Sequence, residues 1–166
     1  KSTVEPGTTK KLNDNYDFEI FHNPEFLTAR TAYEDFRDQD HIVLGREDAS
    51  DSFNKLYYFY KKYWPRAEVS VCLTKESESM KLFCNNFYAM KVMIFNEFYD
   101  LCLQNGASYK KVRDLMVKNS WINPMHTEVP GPDGLLAYGG ACFTKDTNAL
   151  LEHTKRTGTL NKVLES

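Results

Sequence analysis

The longest regular pattern in the chain is a run of apolar residues that are alternately four and three positions apart. Its members are Phe83, Phe87, Met90, Ile94, Phe98 and Leu101. This spacing predicts one face of a helix of about 30 residues. Thr74 is its predicted N-cap, and Glu76 and Glu78 carry the negative charge that suits the positive end of a helix dipole. Asn105-Gly106 predicts its C-terminal end.

The same helix has apolar surface away from that stripe. Leu82, Ala89 and Met93 lie on other sides of a helical projection. A long helix that is apolar on two sides typically packs between two bodies. We therefore expect the helix over residues 74–105 to form the core of a homodimer.

Ahead of the long helix, short strands and helices alternate. Thr8 or Thr9 is a predicted cap for a short first helix. Residues 17–22 alternate polar and apolar side chains, which predicts a half-buried strand. Two further strands are predicted over residues 41–45 and 68–73, with a helix between them that Pro65 ends. Such alternation is typical of the edge of an α/β sheet.

After the long helix the pattern is mostly helical. A helix is predicted over residues 108–118, and the last one starts near Cys142, after a loop rich in glycine and proline. The fold class is therefore an α/β edge, the end of a Rossmann-like sheet, followed by a mostly α-helical domain. We place the domains at residues 1–70 and 71–166.

The amino-acid composition limits the classes of molecule that the chain is expected to bind. Lys and Arg total 21 against 23 Asp and Glu, so the formal net charge of −2 gives no reason to expect nucleic acid or an anionic membrane. The aromatic residues over 57–64 resemble a base-stacking platform, but their helical spacing favours a packing face. No apolar run approaches the roughly 20 residues of a membrane span. The four widely spaced cysteines are those expected of a reducing cytoplasm.

Cys142 follows Gly139-Gly140-Ala141 and opens a predicted helix. Backbone amides at a helix N-terminus favour a thiolate, and Lys145 lies one turn away. Asp146, at i+4, is expected on the same helix face. A reactive thiol is one interpretation, and a structural cysteine after a flexible loop is the other.

Other polar residues suit the same chemistry. Lys81 and Asn85 are one helical turn apart, and a lysine beside an amide donor can stabilise an oxyanion. Glu25 follows a predicted strand, where α/β sheets place catalytic groups. Each of the three is also compatible with an ordinary surface position. The four histidines share no zinc-like spacing with each other or with the cysteines, so we expect no metal.

Three separated segments together carry a resemblance. They are Asn23-Pro24-Glu25-Phe26-Leu27 with His41-Ile42-Val43-Leu44-Gly45; Lys81-Leu82, Asn85 and Phe95-Asn96-Glu97; and Pro130-Gly131 with Tyr138-Gly139-Gly140-Ala141-Cys142-Phe143-Thr144-Lys145-Asp146. In order and spacing the chain resembles the UDP-glucose/GDP-mannose dehydrogenase family over essentially its whole length. Lys1-Ser2-Thr3-Val4 looks like the last strand of that family's first nucleotide-binding domain.

The resemblance implies an NAD-dependent, four-electron oxidation of the primary alcohol of a nucleotide sugar to a uronic acid. Cys142 would attack the aldehyde intermediate, and Lys81 and Asn85 would stabilise the oxyanion. Glu25, Thr3 and Asp146 would activate water and relay protons. Substrate contacts are expected from a further set, Phe26, Leu27, Gly139, Gly140 and Lys145.

Two departures from the family pattern stand out. Ala29 replaces a glutamate that usually follows the Pro-Glu-Phe-Leu segment, and the loop before Gly139 is longer by residues 134–137. A GxGxxG turn is also missing from the sequence. We therefore expect a fragment that binds NAD poorly alone, with the dinucleotide-binding domain upstream. An inactive dimerisation module of the family and a β-hydroxyacid dehydrogenase relative, which uses a lysine-asparagine pair without a cysteine, are the alternatives.

Overall fold

The computed structural model describes residues 2–159, apart from the side chains of Gly140 and Ala141. Over this part of the chain it contains six helices and two strands. In chain order they are α1 Thr8–Asn15, α2 Ala32–Arg37, β1 His41–Arg46, α3 Asp51–Tyr63, β2 Glu68–Leu73, α4 Thr74–Gln104, α5 Tyr109–Val117 and α6 Gly140–Thr157. They divide into two compact units, Lys1–Phe83 and Cys84–Ser166.

In the first unit, β1 and β2 form a parallel pair in continuous register, from His41 opposite Glu68 to Arg46 opposite Leu73. Because α3 connects them, the segment is a β-α-β unit, and the predicted Rossmann-like edge is confirmed. Its core is made of buried residues from β1, from α3 and from the position just before β2. They are Ile42, Leu44, Phe53, Tyr60 and Ala67.

The strand predicted over residues 17–22 is wrong. The segment makes only one antiparallel bridge, between His22 and Gly45. Upstream of it, the side-chain amide of Asn13 donates to the carbonyl of Ile20 and accepts from the N–H of Ile20. A side chain therefore satisfies the backbone groups that a strand would have offered to a neighbour.

The aromatic run on α3 is only partly a packing face. Tyr60 is buried and Tyr57 and Trp64 pack against the core, as the helical spacing predicts. Tyr58 and Tyr63 are exposed instead. The predicted ends of this helix are confirmed, because the Ser50 hydroxyl accepts from the N–H of Phe53 and the helix stops before Pro65.

Helix α4 is the predicted long helix, and it is apolar on two sides as expected. The side that is buried within the chain carries Leu82, Ala89, Phe95 and Cys102. Most of the repeating stripe is exposed, with Phe83, Phe87, Ile94 and Leu101 each at 50–59% exposure. Gly106, with φ +67°, ends the helix in a left-handed conformation.

In the second unit, α4, α5 and the loop after α5 share a small core. Its buried members are Phe95, Cys102 and Tyr109. The Tyr109 hydroxyl donates to the carbonyl of Thr127 at 2.6 Å, so the loop is fixed to α5. Among the described helices, none combines the length and the apolar composition that a membrane crossing requires.

Candidate active site

Cys142 is the third residue of α6, which starts at Gly140. Its thiol is exposed. Gly139, the N-cap, has no side chain that could cap the helix, so the amides of the first turn keep the free N–H groups typical of a helix N-terminus. The predicted helix start near the cysteine is therefore confirmed.

Asp146 lies one turn further along α6, and its side chain is buried although it is charged, with 1% exposure. One carboxylate oxygen, Oδ2, accepts from Nδ2 of Asn85 at 2.5 Å. The other, Oδ1, lies 2.7 Å from Nζ of Lys145. Nδ2 of Asn86 donates to the Asp146 carbonyl at 3.0 Å. The second unit thus joins Asn85, Lys145 and Asp146 in one polar network beside the cysteine.

An aromatic cluster adjoins this network. The ring of His126 lies 5.0 Å from that of Tyr88 and 5.6 Å from that of Phe143, the residue after Cys142. Burial, and secondarily the charge of Lys91, lower the pKa of His126, which favours a neutral ring. Sequence reasoning considered this histidine only as a metal ligand and missed its contact with the first turn of α6.

In the first unit, Lys81 is 5% exposed, so it is not a solvated surface lysine. Its Nζ lies 4.6 Å from the centroid of the Phe26 ring, a cation–π distance. A predicted catalytic residue and a predicted substrate-binding residue are therefore in direct contact. Asn85, the next turn of α4, is also buried, at 6% exposure.

Glu25 lies on a turn that buried polar groups fix in place. Its Oε2 accepts from the N–H of Leu27 at 2.7 Å. Two residues earlier, Nδ2 of Asn23 donates to the Val43 carbonyl at 2.8 Å, and the Tyr60 hydroxyl donates to Oδ1 of Asn23 at 2.5 Å. Asn23 therefore anchors the turn to β1 and α3. The Asn-Pro pair suggested only the end of a strand, so this anchoring role was missed.

The segment of Thr3 is held by a histidine. Thr3 itself is half-buried. Nε2 of His22 lies 3.0 Å from the carbonyl of Ser2, so Nε2 carries the proton. Nδ1 then accepts from the Ser77 hydroxyl at 2.6 Å. Burial is the main cause that lowers the pKa of His22, and a neutral ring fits both bonds.

Glu78 has a larger role than its predicted interaction with the helix dipole. It is fully buried, and its two oxygens accept from the N–H groups of Gly7 at 2.5 Å and Thr9 at 2.7 Å. The cap of α1 therefore comes from a residue about 70 positions away rather than from Thr8 or Thr9. Gly7, with φ +95°, is the N-cap residue of α1.

The described residues do not fit the pyrophosphate of a dinucleotide. Binding of that group in β-α-β units requires a glycine-rich turn between the first strand and its helix. Here the turn between β1 and α3 carries two carboxylates, Glu47 and Asp48, which would repel a phosphate. Within the part of the chain that the structure covers, no group of three or more His, Cys, Asp or Glu could hold a metal ion.

Two family models match the chain. Residues 75–166 match the central domain of the UDP-glucose/GDP-mannose dehydrogenase family, and residues 1–64 match its NAD binding domain. The resemblance carried by the sequence motifs is thereby confirmed.

Curated relatives agree with these matches. The chain is 28% identical, over its full length, to a UDP-glucose 6-dehydrogenase of Pseudomonas aeruginosa and covers 38% of that protein. It is 33% identical, again over its full length, to one of Rhizobium meliloti and covers 39% of it. The chain thus spans less than two-fifths of the length of these relatives.

Solved structures agree as well. A UDP-glucose dehydrogenase from Pyrobaculum islandicum superimposes with a TM-score of 0.84 at 29% identity, covering 99% of this chain and 38% of that one. A GDP-mannose dehydrogenase from Pseudomonas aeruginosa gives a TM-score of 0.64 at 26% identity, with 99% and 39% covered. The fold, an α/β edge followed by a helical domain, is therefore that of these enzymes.

Proposed function

The chain belongs to the UDP-glucose/GDP-mannose dehydrogenase family, and we propose that it supplies the catalytic thiol and the central helical domain of a nucleotide-sugar dehydrogenase. The proposed reaction is the four-electron oxidation of a sugar primary alcohol to a uronic acid, on a UDP-glucose-like or GDP-mannose-like substrate. The observation that carries it is the contact of the buried Asp146, one turn from Cys142, with the buried Asn85 and the exposed Lys145.

In this proposal Cys142 is the nucleophile. Its sulfur bonds to the carbonyl carbon of the aldehyde intermediate, and the carbonyl oxygen gains a proton to give a thiohemiacetal. Removal of a hydride from that carbon, together with loss of the proton from its hydroxyl, leaves a thioester. Water then adds to the thioester, the carbon–sulfur bond breaks, and the acid and the free thiol are released.

The roles of the other site residues are assigned from the chemistry of their side chains. Lys81 and Asn85 are positioned donors for the developing oxyanion, and both are buried, which strengthens such interactions. Glu25, Thr3 and Asp146 are assigned to water activation and proton relay. We assign substrate contacts to a further set, Phe26, Leu27, Gly139, Gly140 and Lys145.

NAD is the proposed cofactor, and when bound it accepts the hydride in both oxidations. Because the turn between β1 and α3 carries Glu47 and Asp48, we place the binding of its pyrophosphate outside these 166 residues. The residues of this chain act on the sugar of the substrate.

Substitution of the thiol tests the proposal. In the complete protein, Cys142→Ser should lower NADH release with UDP-glucose, GDP-mannose and related sugars by about a thousandfold or more. Cys72→Ser, a half-buried thiol on β2, is the matched control and should leave turnover unchanged.

Each other outcome of this test has a definite meaning. Unchanged turnover in Cys142→Ser would eliminate the mechanism. NAD binding without turnover on any nucleotide sugar, in the unaltered protein, would favour the inactive module that Ala29 suggests. Turnover of a hydroxy acid that is indifferent to thiol alkylation would favour the β-hydroxyacid dehydrogenase relative.

We also propose that a second copy of the chain covers the exposed stripe of α4. Phe87, Ile94 and Leu101 form a contiguous apolar face on one helix, which a monomer would leave in water. Ile94→Glu should weaken self-association by about tenfold or more in sedimentation measurements. Asp100→Lys, at an exposed polar position of the same helix, is the control, and equal association of both variants would refute the homodimer.

A further inference from the structure

The chain enters α6 through a segment in an unfavourable backbone conformation. Ala137, five residues before Cys142, has φ +62°, in the left-handed region that disfavours any residue with a Cβ. Gly139, which follows two residues later, has no side chain that could cap α6. Gly139 therefore supplies no side-chain cap for α6, and Ala137 is in a conformation that needs support from elsewhere.

A side chain from α4, that of Asn96, supports this segment. Oδ1 of Asn96 accepts from the N–H of Ala137 at 2.9 Å. Nδ2 of the same amide donates to the Val92 carbonyl, one turn back on α4, at 2.8 Å. Because both ends of the amide are used, its orientation is fixed relative to the α4 backbone. The amide holds Ala137 in the left-handed conformation and ties the segment to a rigid helix.

We infer that Asn96 is a positioning residue for Cys142, acting through the backbone of Ala137. The inference rests on the proposed role of Cys142 as nucleophile and adds a residue to that site. It assigns the orientation of the thiol at the start of α6 to a hydrogen bond between residues 41 positions apart. In this interpretation α6 needs no capping side chain from the loop that precedes it.

The test measures the reactivity of the thiol and does not depend on turnover. In the full chain, the rate of Cys142 alkylation by iodoacetamide is followed over a range of pH by mass spectrometry of its peptide. Asn96→Leu should lower that rate at neutral pH by about fivefold, because the thiol loses its fixed position at the start of α6. Asn96→Asp, which keeps the acceptor for Ala137, should restore the unaltered profile.

Two further measurements make the outcome decisive. Asn119→Leu removes a comparable bond, from the N–H of Trp121, elsewhere in the same unit and should leave the profile unchanged. A folded Asn96→Leu chain with the unaltered rate and pH profile would overturn the inference. If that variant does not fold, amide hydrogen exchange is measured in the unaltered chain. Exchange of the Ala137 N–H as fast as in an open loop would overturn the inference. Protection of that N–H by about tenfold or more would support the inference. If the complete protein did not catalyse the proposed oxidation, the alkylation and amide-exchange measurements would still test the role of Asn96.

Discussion

Among the described residues, each unit buries one carboxylate, and the two are held in opposite ways. Glu78, in the first unit, accepts from two backbone N–H groups, those of Gly7 and Thr9. Asp146, in the second, accepts from the side chains of Asn85 and Lys145. The exposed fraction is 0% for Glu78 and 1% for Asp146. Burial alone therefore does not distinguish a structural carboxylate from a reactive one, the role that we propose for Asp146.

The two carboxylates differ in how freely their hydrogen-bond partners can move. Backbone amides of a helix N-terminus cannot move without unfolding that helix, so Glu78 has one arrangement. Lys145 is mostly exposed, and its ammonium can leave Asp146 by a simple change of rotamer. A carboxylate that takes part in proton transfer needs partners that can exchange. We therefore expect substitution at Asp146 to affect chemistry and substitution at Glu78 to affect stability.

Among the changes that test this comparison, Asp146→Asn should have the largest effect, and the effect is on turnover. The new amide keeps an oxygen for Asn85 but can no longer act as a base, so turnover in the complete protein should fall by about a hundredfold. Unfolding in urea should change by about 1 kcal/mol or less. Asp133→Asn, on an exposed loop, is the control for both measurements. A large loss of stability with proportionate loss of activity would make Asp146 a structural residue like Glu78.

The next largest effect is that of Glu78→Gln on stability. One oxygen becomes an amide that faces a backbone N–H, so the free energy of unfolding should fall by about 2 kcal/mol. Glu76→Gln is the matched control, because its exposed carboxylate accepts from the N–H of Leu73 only. Equal urea midpoints for the two variants would show that the bonds to Gly7 and Thr9 contribute little.

The smallest effect is a pH dependence in the first unit, where His22 contacts Ser77, next to Glu78. Burial lowers the pKa of His22 below its ordinary value of 6.5, so the unfolded chain binds the proton more readily. The contribution of His22 to stability is therefore complete above that value and is lost as the pH falls below it. His22→Gln should flatten the change in urea midpoint between about pH 7.5 and about pH 5.5. A slope identical to that of the unaltered chain would contradict this assignment.

Much of the architecture was predictable because it depends on local spacing. The four-three repeat from Phe83 to Leu101 predicts α4, and Gly106 ends the helix at the predicted place. The helix start at Cys142 follows from the glycines before it. The absence of a strand over residues 17–22 was not predictable, because a side chain from α1, Asn13, takes the backbone bonds of Ile20.

Which face of α4 is buried was also beyond sequence patterns. The stripe with the clearer repeat, that of Phe87 and Ile94, is the exposed one, while Ala89 and Phe95 are buried within the chain. A helix that is apolar on two sides offers two faces with similar transfer free energy, and the neighbouring elements choose between them. Similarly, the roles of Asn23 and Asn96 depend on partners 20 and 41 residues away.

The sequence by itself determined the order of the elements from residue 41 onward, the family and the helical positions of Cys142, Lys81, Asn85 and Asp146, because these follow from residue types at fixed spacing. Only the tertiary structure decided which of those polar groups are buried and what holds them. Glu78 and Asp146 are both single acidic residues on helices, and in the sequence nothing separates a cap for a distant helix from a partner of Asn85. The physical reason is that a buried carboxylate is defined by the donors that meet it, and in this protein the donors from Gly7, Thr9 and Asn85 are distant along the chain from the carboxylates that they meet.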